Sequence, residues 1–133
     1  METNNQFWVN GVREESVSAA DRGVEFGDGV FETMRYYQGN IISLDSHLRR
    51  LEKGLKRLFF PDSLSRVLLD LKIVIEYLTS LGAENVIVRI TVTRGAGARG
   101  YEPDVSPSVN IIIKASAINF TPIEQTLPLK AGT

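Results

Sequence analysis

The stretch from Val30 to Pro61, VFETMRYYQGNIISLDSHLRRLEKGLKRLFFP, changes character once, and that change decides the fold class. Val30 to Tyr37 reads as an extended run. Gln38-Gly39-Asn40 turns it into a second run, Ile41-Ile42-Ser43-Leu44. Asp45 then offers a side chain of the type that caps a helix start. Leu48, Leu51, Leu55 and Leu58 recur at helical spacing, with Arg49, Glu52, Lys53, Lys56 and Arg57 opposite. Gly54 costs about 1 kcal/mol against alanine inside a helix, and a close approach to a sheet accounts for it. Pro61 ends the segment.

Downstream, Asp62 or Ser63 starts a second helix. Its inward residues are expected to be Leu64, Val67, Leu68, Leu71, Val74, Ile75, Leu78 and Leu81, with Gly82 as a stop. Val86 to Thr93 is rich in β-branched residues and reads as a buried strand, as does Val109 to Lys114. Thr126 to Lys130 looks like a further strand. Upstream, Phe7-Trp8-Val9 and Val12 flank Asn10-Gly11, a pair suited to the positive φ angles of a type I′ hairpin turn. Strands, two helices and strands again imply an α+β fold, a mainly antiparallel sheet packed against two helices.

The chain has 133 residues, 15 Lys+Arg and 16 Asp+Glu, a formal net charge of −1. That length suits one domain or one lobe. Hydrophobic residues at 43% and charged residues at 23% are globular values and exclude disorder by composition. The neutral balance gives no general attraction to nucleic acid or to an anionic membrane. No run reaches the length of a membrane span, and METNNQFW lacks a signal core, so a cytoplasmic protein is expected. There is no cysteine, which removes disulfides, thiolate zinc sites and a cysteine nucleophile. One histidine, His47, cannot build a multi-histidine metal site within one chain.

Three segments carry possible chemistry. Gly95-Ala96-Gly97-Ala98-Arg99-Gly100 matches the glycine pattern of a dinucleotide site, but Pro103 and Pro107 forbid the helix such a site requires. What remains is either a plain loop between strands or a mobile loop that delivers Arg94, Arg99 and Tyr101 to an anion. His47-Leu48-Arg49-Arg50-Leu51 offers solvated arginines or a guanidinium clamp for phosphate; His47 alone suits capping or packing. Asp21 to Arg35, DRGVEFGDGVFETMR, reads as a charged loop with turn glycines leading into a hairpin, with Asp28 as a turn or cap residue.

Taken in order, these segments resemble the fold-type IV enzymes that use pyridoxal 5′-phosphate (PLP), the class IV aminotransferase family. Asp21-Arg22-Gly23 with Phe26-Gly27-Asp28-Gly29-Val30-Phe31-Glu32 resembles the family's opening. His47 and Arg50-Leu51 resemble its phosphate-binding helix, and Thr93-Arg94-Gly95 with Arg99-Gly100-Tyr101 the strand and loop that end its small domain. The resemblance implies PLP as cofactor, Arg50 on its phosphate and His47 in support. It implies Phe31 and Thr33 lining the cofactor and substrate pocket, and Arg99 and Tyr101 recognising substrate carboxylate across a homodimer.

Within the group, Thr33 after Phe31-Glu32 and the Arg94-Gly95 to Tyr101 loop are most similar to 4-amino-4-deoxychorismate lyases. These form 4-aminobenzoate and pyruvate for folate biosynthesis. Branched-chain and D-amino-acid aminotransferases are the same-fold alternative, and a non-catalytic single-lobe binding module is the alternative outside enzymes. The family's Schiff-base lysine lies in its second lobe, so it is expected beyond Thr133. Lys130 alternates with Leu127 and Leu129 and reads as an ordinary strand residue. The organisation expected is a small domain over 1–120, then a linker and the start of a larger domain over 121–133. The chain alone is expected to be inactive.

Overall fold

The computed structural model describes residues 5–95 and 109–117. Six strands are present, β1 (Asn5–Val9), β2 (Val12–Arg13), β3 (Gly29–Tyr37), β4 (Asn40–Ile41), β5 (Asn85–Thr93) and β6 (Asn110–Ala117), among the described residues. They form one antiparallel sheet in the order β2-β1-β6-β5-β3-β4. The helices are α1 (Arg22–Phe26), α2 (Leu44–Arg57) and α3 (Leu64–Ser80). The expected α+β class is therefore present.

The first hairpin turns as expected, with Asn10 at φ 53° and Gly11 at φ 84°. The second is shorter than its sequence suggests. Only Asn40 and Ile41 pair with β3; the Ile42 amide still donates to the Arg35 carbonyl at 2.9 Å, Ser43 turns away at φ 57°, and α2 opens at Leu44. Asp45 is therefore not the cap. It stands in the first turn, where a carboxylate favours the positive end of the helix dipole.

Period-two alternation sorts the strands into two faces. Met34, Tyr36, Val86, Val88, Ile90, Val92, Ile111, Ile113, Ala115 and Trp8 are buried. Leu51 and Leu55 of α2 and Val67, Leu71, Val74 and Leu78 of α3 join them in one core. Tyr36 and Thr79 hydroxyls meet at 3.0 Å, and Trp8 meets Tyr77 edge-on at 5.5 Å, which ties sheet to helix.

Three expected inward leucines are exposed instead. Leu58 follows the last turn of α2, Leu81 follows that of α3, and Leu68 lies on the flank beside Val67. A hydrophobic period continues past a helix end only in sequence. Ser63 takes the N-cap position of α3, yet its hydroxyl donates backward to the Pro61 carbonyl at 2.8 Å. Asp62 accepts from the Leu64 amide at 3.4 Å. Gly82, at φ 73°, follows the Leu81 C-cap as expected. The expected strand 126–130, Lys130 and the boundary near residue 120 lie outside the described residues.

Candidate functional site at the open edge of β3

β4 pairs only with Tyr36 and Tyr37, so the Val30 to Thr33 part of β3 has no neighbour on that side among the described residues. Alternation sends Glu32 toward α2 and sends Phe31 and Thr33 to the other face. A ligand at this edge can therefore touch both faces of the sheet.

On the helix side, His47 and Arg50 are three residues apart on α2 and share one face. Arg50 donates from Nε to Glu32 Oε2 at 3.0 Å and from Nη2 to Oε1 at 3.1 Å. His47 Nδ1 lies 2.6 Å from Oε1. A carboxylate can only accept, so Nδ1 carries the proton and donates. The 3.1 Å approach of Arg50 Nη2 to His47 Nδ1 is then the proximity of two donors sharing one acceptor.

Burial pushes the Glu32 carboxyl upward, but the hydrogen bonds and charges of Arg50 and His47 outweigh it, and the net shift is downward. Glu32 in turn holds the Arg50 guanidinium above its ordinary range. The Arg50 side chain is 61% exposed while Glu32 is 13% exposed. Nη1 of Arg50 has no hydrogen-bond partner among the described residues. Beside it an open groove is lined by Ser46, Arg49, Arg50, Glu52, Lys53 and Lys56, four cations against one acid. An oriented guanidinium with spare donors, set in a cationic groove, suits a phosphate monoester.

On the other face, Phe31 is 55% exposed and Thr33 is exposed. Thr33 stands directly opposite Arg89 of β5, and the Arg89 guanidinium sits 4.3 Å from the Phe31 ring centroid. Lys114 follows Arg89 in the same cross-strand row. The result is an aromatic platform with cations beside it.

The neighbouring corner is structural. The expected charged loop contains the short helix α1, whose N-cap Asp21 is fully buried. Asp21 accepts from Thr93 Oγ1, the Gly23 amide and Asn110 Nδ2, each at 2.7 Å. Asp28 is more than a turn residue: its Oδ2 accepts from Arg94 Nε at 2.8 Å and Arg22 Nε at 3.1 Å. Arg94 also donates to the Leu58 and Phe59 carbonyls. Its Nε and one donor from each Nη are held inside the lobe, where the expectation had a loop deliver Arg94 to an external anion.

Of the expected site residues, the structure brings Arg50 and His47 together and sets Phe31 and Thr33 across the sheet from them. Arg99 and Tyr101 lie outside the described residues. Glu32 and Arg89 were missed by sequence reasoning. Alternation around Phe31 places Glu32 toward α2, and alternation in Val86 to Thr93 places Arg89 outward. Neither pattern names the partner.

Residues 29–131 match the family described as amino-transferase class IV. The chain belongs to that family. It is 34% identical over 97 residues to the aminodeoxychorismate lyase of Vibrio harveyi, covering 73% of this chain and 34% of the lyase. It is 33% identical to a D-alanine aminotransferase of Staphylococcus epidermidis, covering 89% of this chain and 44% of that one. The crystal structure of 4-amino-4-deoxychorismate lyase from Pseudomonas aeruginosa superposes with a TM-score of 0.73 at 34% identity, over 90% of this chain and 42% of that one. The chain thus spans less than half the length of these relatives.

Proposed function

We propose that this chain is the small lobe of a PLP-dependent 4-amino-4-deoxychorismate lyase, acting in the cytoplasm as a homodimer on a small carboxylate substrate. The observation that carries the cofactor assignment is Arg50, oriented by Glu32 and His47 at the open edge of β3. Arg50 would take the cofactor phosphate with its exposed donors. Glu32 would hold the guanidinium by two hydrogen bonds, and His47 would keep its proton on Nδ1 to complete that carboxylate's coordination. When bound, PLP supplies an electron-poor ring that accepts the electron pair released at a substrate carbon. On the opposite face, Phe31 and Thr33 would line the pocket, and Arg89 would pair with a substrate carboxylate. Arg99 and Tyr101 would add carboxylate recognition from the partner subunit. The Schiff-base lysine would come from the second lobe.

Support for the lyase comes from the 34% identity to lyases in both sequence and structure. The 33% identity to a D-alanine aminotransferase over 89% of the chain favours an aminotransferase as the second reading. A coupled assay for 4-aminobenzoate, run beside one for amination of 2-oxoglutarate, separates them. For the phosphate site, Arg50→Ala in the full-length protein should weaken PLP binding at least about tenfold, as expected for a lost charge-assisted contact, with the fold unchanged by circular dichroism. Unchanged affinity removes Arg50 from the site.

A further inference from the structure

Beside the His47–Glu32 contact, three evenly spaced contacts join α2 to β3 and the turn before it. Arg50 meets Glu32 at 3.0 Å. Gly54 lies against Val30, where an added Cβ would stand 2.9 Å from Val30 Cγ1. The Leu58 carbonyl accepts from Arg94 Nη2, and Arg94 Nε binds Asp28 at 2.8 Å. Along the helix these positions are four apart; along the strand they are two apart, in the opposite direction. Four helical residues rise about 6.0 Å and two strand residues about 6.6 Å, so the three rungs stay in step.

The N-terminal end of α2 has no side-chain cap, because Ser43 makes no capping bond. The C-terminal end is held by Arg94, which takes the carbonyls of Leu58 and Phe59 and stacks 4.2 Å from the Phe60 ring centroid. The C-terminal end of α2 is therefore the end that a side chain caps, and between it and Arg50 the Gly54 backbone meets the Val30 side chain.

We infer that Arg94 is a positioning residue for Arg50: by locking the C-terminal end of α2 to Asp28, with Gly54 as the middle rung, it sets where the phosphate-binding guanidinium stands. This rests on the reading of Arg50 above. The Arg94 contacts shown are all within the lobe, to Asp28, Leu58, Phe59 and Phe60. Its Nε binds Asp28 and its Nη atoms bind the carbonyls of Leu58 and Phe59 that follow the last turn, so its influence travels through α2.

The test compares PLP with pyridoxal, which lacks the phosphate, by equilibrium binding to the full-length protein stripped of cofactor. Arg94→Met should weaken PLP about fivefold, less than loss of the clamp itself would, and leave pyridoxal within about twofold. In an Arg50→Ala background the same substitution should change PLP binding by less than about twofold, because the two act through one contact. Gly54→Ala should produce the same phosphate-selective loss, and adding Val30→Ala should restore it by making room for the new methyl. A purely structural role would lower both ligands' affinities together. Equal losses for PLP and pyridoxal, or an Arg94 effect undiminished without Arg50, overturn the inference. If Arg94→Met fails to fold, the Gly54 pair decides: no recovery with Val30→Ala overturns it. If Arg50→Ala itself keeps the preference for PLP over pyridoxal, the reading of Arg50 fails first and the inference falls with it.

Discussion

Asp21 and Asp70 are both buried aspartates, and the molecule treats them oppositely. Asp21 is 0% exposed and accepts three hydrogen bonds from neutral donors on three separate segments, the start of α1, the end of β5 and the start of β6. Asp70, on α3, is 8% exposed, and its Oδ2 is buried without a hydrogen-bond partner among the described residues. Burial raises the Asp70 pKa, and the charge of Arg66 offsets only part of it. Arg66 itself donates to the Val109 carbonyl and to Asn10 Oδ1. A buried carboxylate stabilises a fold only where donors converge on it; elsewhere its desolvation stands against the fold.

The sharpest way to break this comparison is Asp21→Ala. Removing it orphans the Gly23 amide, the Thr93 hydroxyl and the Asn110 amide together. The expected loss is about 3 kcal/mol of unfolding free energy in urea. A loss under about 1 kcal/mol would mean that water or the chain replaces the carboxylate, and the contrast with Asp70 would vanish.

Thr93→Val keeps shape, deletes the donor to Asp21 at 2.7 Å and also removes the acceptor of the Gly95 amide at 3.2 Å. About 1.5 kcal/mol is expected, and a value near zero would shift the weight to Asn110 and Gly23. Asp70→Asn should move the other way. It removes a charge that lacks full hydrogen bonding, and partial solvent screening holds the gain to about 0.5 kcal/mol. A destabilised variant would reveal a donor on Asp70 that outweighs its burial.

The smallest effect is one of pH. The folded pKa of Asp70 is raised above 3.8, so the folded state takes up its proton first. Stability from this group rises as pH falls through the raised value. The advantage of Asp70→Asn should therefore shrink as pH falls through the raised folded value, and be gone below 3.8. Glu32 has the opposite sign. Its folded pKa lies below 4.5, so its contribution is present above 4.5 and is lost as pH falls through the folded value. Denaturation midpoints across that range, for wild type and Asp70→Asn, separate the two; a gap independent of pH would remove Asp70 as its source.

Asp21 also shows why part of the site was hard to read. Within DRGVEFGDG it looks like any turn acid, because its partners Thr93 and Asn110 lie 72 and 89 residues away. The same distance in sequence hid Arg94's role, since Asp28 is 66 residues from it. His47 and Glu32, only 15 residues apart, were still separated by a turn whose left-handed Ser43 no propensity announces.

What the sequence by itself determined is what repeats or turns locally. Asn10-Gly11 dictates a hairpin because few residue pairs accept two positive φ angles. The leucine period of 48, 51 and 55 dictates one buried face on α2, because 3.6 residues per turn leave no other stripe. Gly54 announced a close approach, and Val30 provides it. Tertiary structure alone decided where those faces end and which charges meet. Leu58 leaves the core because the helix stops, Arg94 turns inward because Asp28 and the α2 carbonyls are within reach, and Glu32 acquires Arg50 and His47 only once α2 lies on β3. Periodicity is a property of neighbours along the chain, whereas a hydrogen bond needs two atoms about 3 Å apart in space, and that distance exists only after packing.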